Sequence, residues 1–483
     1  MDECEKPSCR RAEPIRAGFQ TWRLAFTKRT WMLLLAGIVF SAAPPGFAYS
    51  LLTHEELVDV LWKDQIKPLL LKRFPAATPE QLREAHAYAY GGCLIQDLGY
   101  YPFGNKFLSD LTHYVRTGDF ITSLIRGAAD LDQYAFALGA LSHYSADNSG
   151  HPLVNRAVAL AFPKLRAKYG NSVTYEDNPR AHIQTEFGFD MTQVSKNRYT
   201  SDQYHDRIGF QVSRPLLERA FQETYGLRLD EVLPDVDLAI GTFRRAVSQV
   251  IPEMTRAALT AYHPEEVKDK PSFNKKQFMY NLSRAQYEKE WGKDYHQPGF
   301  FTKVLGFALR WVPKIGPLKG LAFKMPTPEM EDLYFKSMNQ TVEDYRKLLR
   351  QASEGTLQLT NNDCDTGRAT RLDEYALCDA TYARLVDELF KRGFARVPPD
   401  VRANLLAFYD TRPPPMRTRK ARKAWRRTAS EVEVLCFAPG SAAEESLRQR
   451  LLHPPRGLES PKAKAEHAWV APLAVAQKSG PAP

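Results

Sequence analysis

The chain has 483 residues, several times the length of an ordinary domain, and its 43% hydrophobic and 25% charged residues are typical of a globular protein. This composition excludes a chain that is disordered throughout and a protein with many membrane spans. The net charge of +10 lies at the two ends, because residues 1–48 carry +3, residues 412–483 carry +8 and residues 49–411 carry −1. The central part therefore has no cationic field of its own. Six cysteines are too few and too scattered for a disulfide scaffold or a Cys-rich zinc module, so any metal must be held by His and carboxylate.

The first 48 residues have the layout of an export signal. Basic residues between positions 10 and 29 precede an apolar run over residues 31–43, which is too short to span a bilayer comfortably. The small residue Ala48 suits cleavage before Tyr49. We therefore predict export to the periplasm or the exterior, with an uncleaved signal anchor as the alternative.

The rest of the chain is predicted to be all-α. Residues 49–264 carry apolar side chains at helical spacing and form a first domain, and residues 265–411 form a further helical block with Gly and Pro punctuation at 297–327. Residues 412–483 are basic, Pro-rich and poor in apolar surface, which predicts a mostly disordered tail.

Two local features also carry expectations. The consecutive glycines Gly91 and Gly92 predict a loop between helices. Cys364 and Cys378, fourteen residues apart, are candidates for a disulfide after export.

The histidines have the most informative pattern, since six of the eleven lie between residues 54 and 182. His143, Asp147 and His151 stand at i, i+4 and i+8, so on a helix they share one face, and His182 and Glu186 are again four apart. Imidazole nitrogen and carboxylate oxygen are ligands that zinc prefers, and inward rows of them build metal sites in helix bundles. A single histidine of this kind is more often a core or surface residue, but the two spaced strings together favour a metal.

Further candidate metal ligands lie upstream of these residues. Asp97 and His113 are sixteen residues apart, and His54 follows Tyr49 by five. From residue 49 to about residue 260, the set resembles the trinuclear zinc phosphoesterases: bacterial zinc-dependent phospholipase C and, more distantly, the single-strand-specific zinc nucleases of fungi and plants. The resemblance implies a multi-helix phospholipase C-like fold with three zinc ions.

The resemblance also implies a ligand set, which is Tyr49 (through its amine and carbonyl) with His54 for one zinc, Asp97 and His113 for a second, His143 as a ligand, Asp147 as a bridging carboxylate, and His151, His182 and Glu186 for the remaining zinc. Two departures stand out. The family commonly has Trp where this chain has Tyr49, and it places the second His six residues after the bridging Asp, whereas His151 follows Asp147 by four.

The implied chemistry is hydrolysis of a phosphodiester by a metal-activated water, with no side-chain nucleophile. Asp97 is the candidate catalytic residue, which would orient or deprotonate that water. The predicted substrate is a phospholipid at a membrane surface, because residues 300–323 interleave aromatic, apolar and basic side chains without an acidic one. A core helix explains that segment equally well.

Two alternatives remain open. A single-strand nuclease or nucleotidase of the same architecture would use a basic track and stacking aromatics, for which the candidates are Tyr88, Tyr90, Tyr100, Tyr101 and Phe103. A non-catalytic zinc-binding relative would keep the fold without turnover. No protein partner is evident, and nucleic acid is the less favoured ligand.

Overall fold

The computed structural model describes residues 51–195, 209–251, 325–395, 397–410 and 418–437. The export signal, Tyr49, nearly all of the 297–327 segment and residues 438–483 lie outside these ranges. Within the described ranges no helix is both long enough and apolar enough to cross a membrane.

The prediction of an all-α fold is confirmed, since regular structure in the described residues is helical apart from one isolated bridge between Asn362 and Ala369. The α-helices are α1 (Leu51–Leu61), α2 (Lys67–Arg73), α3 (Pro79–Cys93), α4 (Lys106–Tyr114), α5 (Thr117–Gly127), α6 (Leu131–Ala161), α7 (Pro163–Tyr169), α8 (Pro179–Ser195), α9 (Arg214–Tyr225), α10 (Leu229–Val232), α11 (Val236–Arg245), α12 (Pro328–Glu354), α13 (Ala376–Phe390), α14 (Pro399–Tyr409) and α15 (Arg419–Phe437). A 3₁₀ helix covers Ile95–Tyr100, and π-helical turns cover Trp62–Ile66 and Ala246–Val250.

Helix α6 is the central element, with 31 residues that are buried along most of their length. Asp130 caps its N-terminus: the side chain accepts a hydrogen bond of 2.8 Å from the backbone N–H of Gln133 and so satisfies one of the free donors of the first turn. Helix α12 packs along it, and the Tyr345 hydroxyl donates to the backbone oxygen of Leu138 at 2.9 Å.

Helices α3 and α6 pack closely because glycines face each other at their contact. A Cβ on Gly92 would lie 1.9 Å from the backbone oxygen of Phe136, and one on Gly139 would lie 2.0 Å from that of Ala89. The prediction of a loop at Gly91 and Gly92 is therefore wrong, since both residues belong to α3 and serve close packing instead of chain reversal. This packing brings the end of α3 next to the middle of α6.

The two parts of the chain share one core. Buried apolar residues from α1 through α15 form a single contiguous cluster, which includes Tyr345 of α12 and Leu385 of α13. Helix α15 contributes Val432 and Leu435 to that cluster, so this part of the mostly disordered tail that the sequence predicts is helical and packed. The composition averaged over the whole tail does not reveal the apolar stripe of one short helix.

The candidate disulfide is not formed in this structure. Cys364 and Cys378 are both buried, free thiols. Cys364 belongs instead to a non-helical segment that lies against helices α4 and α6.

Candidate metal centre

Eight of the nine predicted ligands converge in one buried region, and Tyr49 lies outside the described residues. Five elements supply them, and none of the eight is more than 3% exposed. These predicted ligands are His54 on α1, Asp97 on the 3₁₀ helix, His113 on α4, His143, Asp147 and His151 on α6, and His182 and Glu186 on α8. They form three groups whose nitrogen and oxygen atoms lie within 4.8 Å of one another, namely His54–His143–Asp147, Asp97–His113–His143 and His151–His182–Glu186.

Asp147 lies at the middle of these groups. Its Oδ2 atom is 3.2 Å from Nε2 of His143 and 3.4 Å from Nε2 of His113. Its Oδ1 atom is 3.8 Å from Nε2 of both His54 and His151. The two oxygens of one carboxylate therefore face different imidazoles, which is the geometry that a shared ligand requires.

The third group is built on α6 and α8. Nε2 of His182 lies 2.9 Å from Oε1 of Glu186, one helical turn away, and Nε2 of His151 lies 3.6 Å from the same oxygen. A spacing of four residues keeps His151 on the Asp147 face of α6. The departure from the family spacing thus leaves His151 beside the other two members of its group.

Backbone carbonyls orient two of the imidazoles. Nδ1 of His113 lies 2.7 Å from the oxygen of Ser109, and Nδ1 of His143 lies 2.8 Å from the oxygen of Cys93. A carbonyl can only accept, so these contacts select the tautomer with the proton on Nδ1. The lone pair on each Nε2 is then directed at the centre.

The electrostatics of the metal-free site are strongly perturbed. Burial opposes a charge on His113, but the carboxylates of Asp147 and Asp97 outweigh it and raise the pKa of His113 to about 10. Burial would raise the pKa of Asp147, yet the imidazoles of His143, His151 and His113 hold it well below its usual range. Burial and the carboxylate of Asp147 raise the pKa of Glu186 well above its usual range.

The buried donor atoms fit a bound cation. The carboxylate oxygens of Asp97, Asp147 and Glu186 are buried and make no hydrogen bond with any residue that the structure describes. Burying such groups without compensation costs several kcal/mol, and a metal removes that cost. Imidazole nitrogen and carboxylate oxygen, with no thiolate among them, form a donor set suited to zinc.

Two carboxylates near the site escaped the sequence analysis as functional residues. Asp190, one turn after Glu186 on α8, accepts hydrogen bonds from the backbone N–H of Leu52 at 2.9 Å and from the Thr53 hydroxyl at 3.0 Å, and so fixes the start of α1 just before His54. The i+4 spacing from Glu186 was its only signal. Asp365 lies 3.2 Å from Nδ1 of His151, and no sequence pattern connects it to the site.

The fold and the site together define a helical protein with a buried cluster of His and carboxylate side chains that could hold metal ions. Residues 53–233 match the family model described as zinc dependent phospholipase C. This range contains all eight converging residues, and the predicted resemblance to the zinc-dependent phospholipase C family is confirmed. At family level, the function is zinc-dependent phosphodiester hydrolysis. No curated protein and no solved structure is matched.

Proposed function

We propose that this protein releases the head group of phospholipids in the manner of a phospholipase C, with three zinc ions and after export through residues 1–48. The observation that carries the proposal is the convergence of eight buried imidazoles and carboxylates within the region that matches the family. The three groups of donors support three ions.

Each group would hold one ion. Asp97, His113 and His143 would form one site, and His151, His182 and Glu186 another. His54 would belong to the third, which Tyr49 would complete as the family resemblance implies, while Asp147 would be shared between sites. When bound, zinc lowers the pKa of a water molecule and neutralises charge on phosphoryl oxygens.

The protein itself contributes fixed positions for these donors. The five elements that carry them are anchored in one core, and the imidazoles of His113 and His143 are locked by backbone carbonyls. Fixed dipoles and charges in a buried site need no reorganisation during the reaction, which makes their stabilisation of developing charge effective.

Asp97 is the residue proposed to act on the attacking water. Its Oδ1 atom lies 3.4 Å from Nε2 of His113, and no described residue donates a hydrogen bond to either of its oxygens. Its own N–H donates to the oxygen of Leu94 at 3.0 Å, which holds the 3₁₀ turn in place. Oδ2 is thus available to orient a water molecule or to accept its proton.

The burial of the candidate stacking residues supports the proposal of lipid over nucleic acid as the substrate. Of the five aromatic residues proposed as stacking partners for bases, Tyr90, Tyr100 and Tyr101 are buried and only Phe103, at 59%, is well exposed. Single-stranded nucleic acids need exposed aromatic faces and a basic groove, and residues 49–411 carry no net positive charge.

A parallel assay tests the proposal. Protein starting at Tyr49 is incubated with phosphatidylcholine vesicles and with single-stranded DNA, each with and without a chelator. We expect release of phosphocholine that the chelator abolishes and added zinc restores. Faster hydrolysis of DNA would identify a nuclease instead, and bound zinc without turnover of either substrate would identify a non-catalytic relative.

A further inference from the structure

The segment of residues 360–370, which follows α12, lies against the helices that carry the metal centre. The backbone N–H of Cys364 donates a hydrogen bond of 3.0 Å to the backbone oxygen of His113, which is itself a candidate ligand. The Tyr144 hydroxyl donates to the oxygen of Thr360 at 2.8 Å, and the Thr117 hydroxyl donates to the oxygen of Asn362 at 2.8 Å. The segment is therefore held to α4, α5 and α6 at once.

Helix α6 accommodates the segment at a proline. Pro152 has no N–H to donate to the oxygen of Asn148, four residues earlier. Gly367, at a φ of +68°, lies over that oxygen so closely that a Cβ would be 2.3 Å from it. Only a glycine can combine this backbone angle with this close approach. Gly367 therefore determines where the segment lies on α6.

This placement brings Asp365 next to His151. Oδ1 of Asp365 lies 3.2 Å from Nδ1 of His151, within reach of a hydrogen bond. Oδ2 accepts hydrogen bonds from the hydroxyls of Tyr375 and Tyr114, and the backbone oxygen accepts one of 2.8 Å from the Asn155 amide. The carboxylate is buried and held from three directions.

Asp365 does for His151 what carbonyls do for two other imidazoles. Nδ1 of His113 and Nδ1 of His143 face backbone oxygens, whereas Nδ1 of His151 faces a carboxylate. A carboxylate in this position fixes the ring and the tautomer and raises the basicity of the other nitrogen, which makes it a better metal ligand. Nε2 of His151 is the nitrogen that faces Asp147 and Glu186.

We propose that Asp365 is a positioning residue of the metal centre, which accepts the Nδ1 proton of His151 and directs Nε2 into the group with His182 and Glu186. The inference rests on the proposed zinc site. It makes the 360–370 segment part of the centre, although that segment lies well beyond residues 53–233, which match the family.

The substitution Asp365→Asn tests this with almost no change in volume. The hydroxyls of Tyr375 and Tyr114 both donate towards Oδ2, so they will hold the amide with its oxygen towards the tyrosines and its NH₂ towards His151. Nδ1 of His151 must then accept, which moves the ring proton to Nε2, the nitrogen that would bind zinc. We expect one zinc ion to bind about 10- to 100-fold more weakly while the other ions keep their affinity.

The measurement is zinc occupancy by mass spectrometry across a chelator titration of the full chain, with the histidine tautomers followed by ¹⁵N NMR. Asp363→Asn is the matched control, because Asp363 lies in the same segment, is buried, and receives hydrogen bonds from Thr366 within the segment. Its zinc occupancy should equal that of the unsubstituted protein. Tyr375→Phe removes one donor to Asp365 and should weaken the same ion by less than about tenfold.

The outcomes separate the two proposals. If the unsubstituted protein binds no zinc, the proposed function fails and the inference fails with it. If it binds zinc and Asp365→Asn binds every ion as tightly, only the inference fails. If Asp365→Asn weakens all ions and also lowers the unfolding temperature in chelator relative to Asp363→Asn, Asp365 is merely structural and the positioning role is refuted.

Discussion

Removing Asp147 should damage this protein far more than neutralising Asp97. Four imidazole nitrogens lie 3.2 to 3.8 Å from the Asp147 carboxylate, whereas one, on His113, lies 3.4 Å from Asp97. The substitution Asp147→Ala takes a carboxylate from the two sites that are proposed to share it, and Asp97→Asn keeps an oxygen in its group. Breaking a buried charge pair costs about 3–5 kcal/mol.

At each of the two sites that share it, Asp147→Ala should therefore cost about 3–5 kcal/mol, or roughly a 10²- to 10⁴-fold loss of affinity for that zinc ion. We expect zinc-free protein at the affected groups and no measurable turnover. For Asp97→Asn we expect zinc content to be kept and turnover to fall by about 10²- to 10⁴-fold, the size of one acid–base group.

The assay combines turnover of a short-chain phosphatidylcholine with zinc per chain from mass spectrometry, on both variants purified without chelator. Zinc content and turnover should change differently in the two variants, because Asp147→Ala loses zinc ions whereas Asp97→Asn keeps them and loses proton transfer. Equal losses of zinc and of turnover in both variants would refute the assignment of Asp147 as a shared ligand.

Three further outcomes follow from the packing and the charges. Gly139→Ala should lower the free energy of unfolding by about 1–3 kcal/mol because the added Cβ would collide with the backbone of α3. Gly241→Ala in α11, where the added Cβ meets open space, should raise it by up to about 1 kcal/mol. Equal urea midpoints for the two variants would contradict the close packing of α3 and α6. Asp190→Ala should cost about 1–3 kcal/mol through the two donors it leaves at the start of α1, and a thermal melt like that of the parent would count against this. The pKa of about 10 means that His113 holds a proton near pH 7 in the metal-free protein, and the pKa of Glu186 is shifted upward as well. Zinc binding should therefore release protons and tighten as pH rises. Calorimetry in buffers of different ionisation enthalpy would detect this release, and a buffer-independent heat would contradict it.

The sequence alone determined the helical class and the type of site. Apolar residues repeat at the period of a helix, and the spacings of His143, Asp147 and His151 and of His182 and Glu186 are themselves one or two helical turns. Both patterns are local, because a helix converts a spacing along the chain into a shared face. The donor chemistry is equally local, since it depends on residue type alone.

Only the tertiary structure decided how the separate elements meet. In the sequence, Gly92 is typical of a loop, and only the packing of α6 against it explains its place in a helix. Likewise, only the contact of α15 with the common core shows that its apolar stripe is buried. Asp365 lies 214 positions from His151, and no periodicity extends over such a distance. The outer support of the centre is therefore set by which surfaces pack together, a free-energy balance over the whole chain that no short stretch of sequence contains.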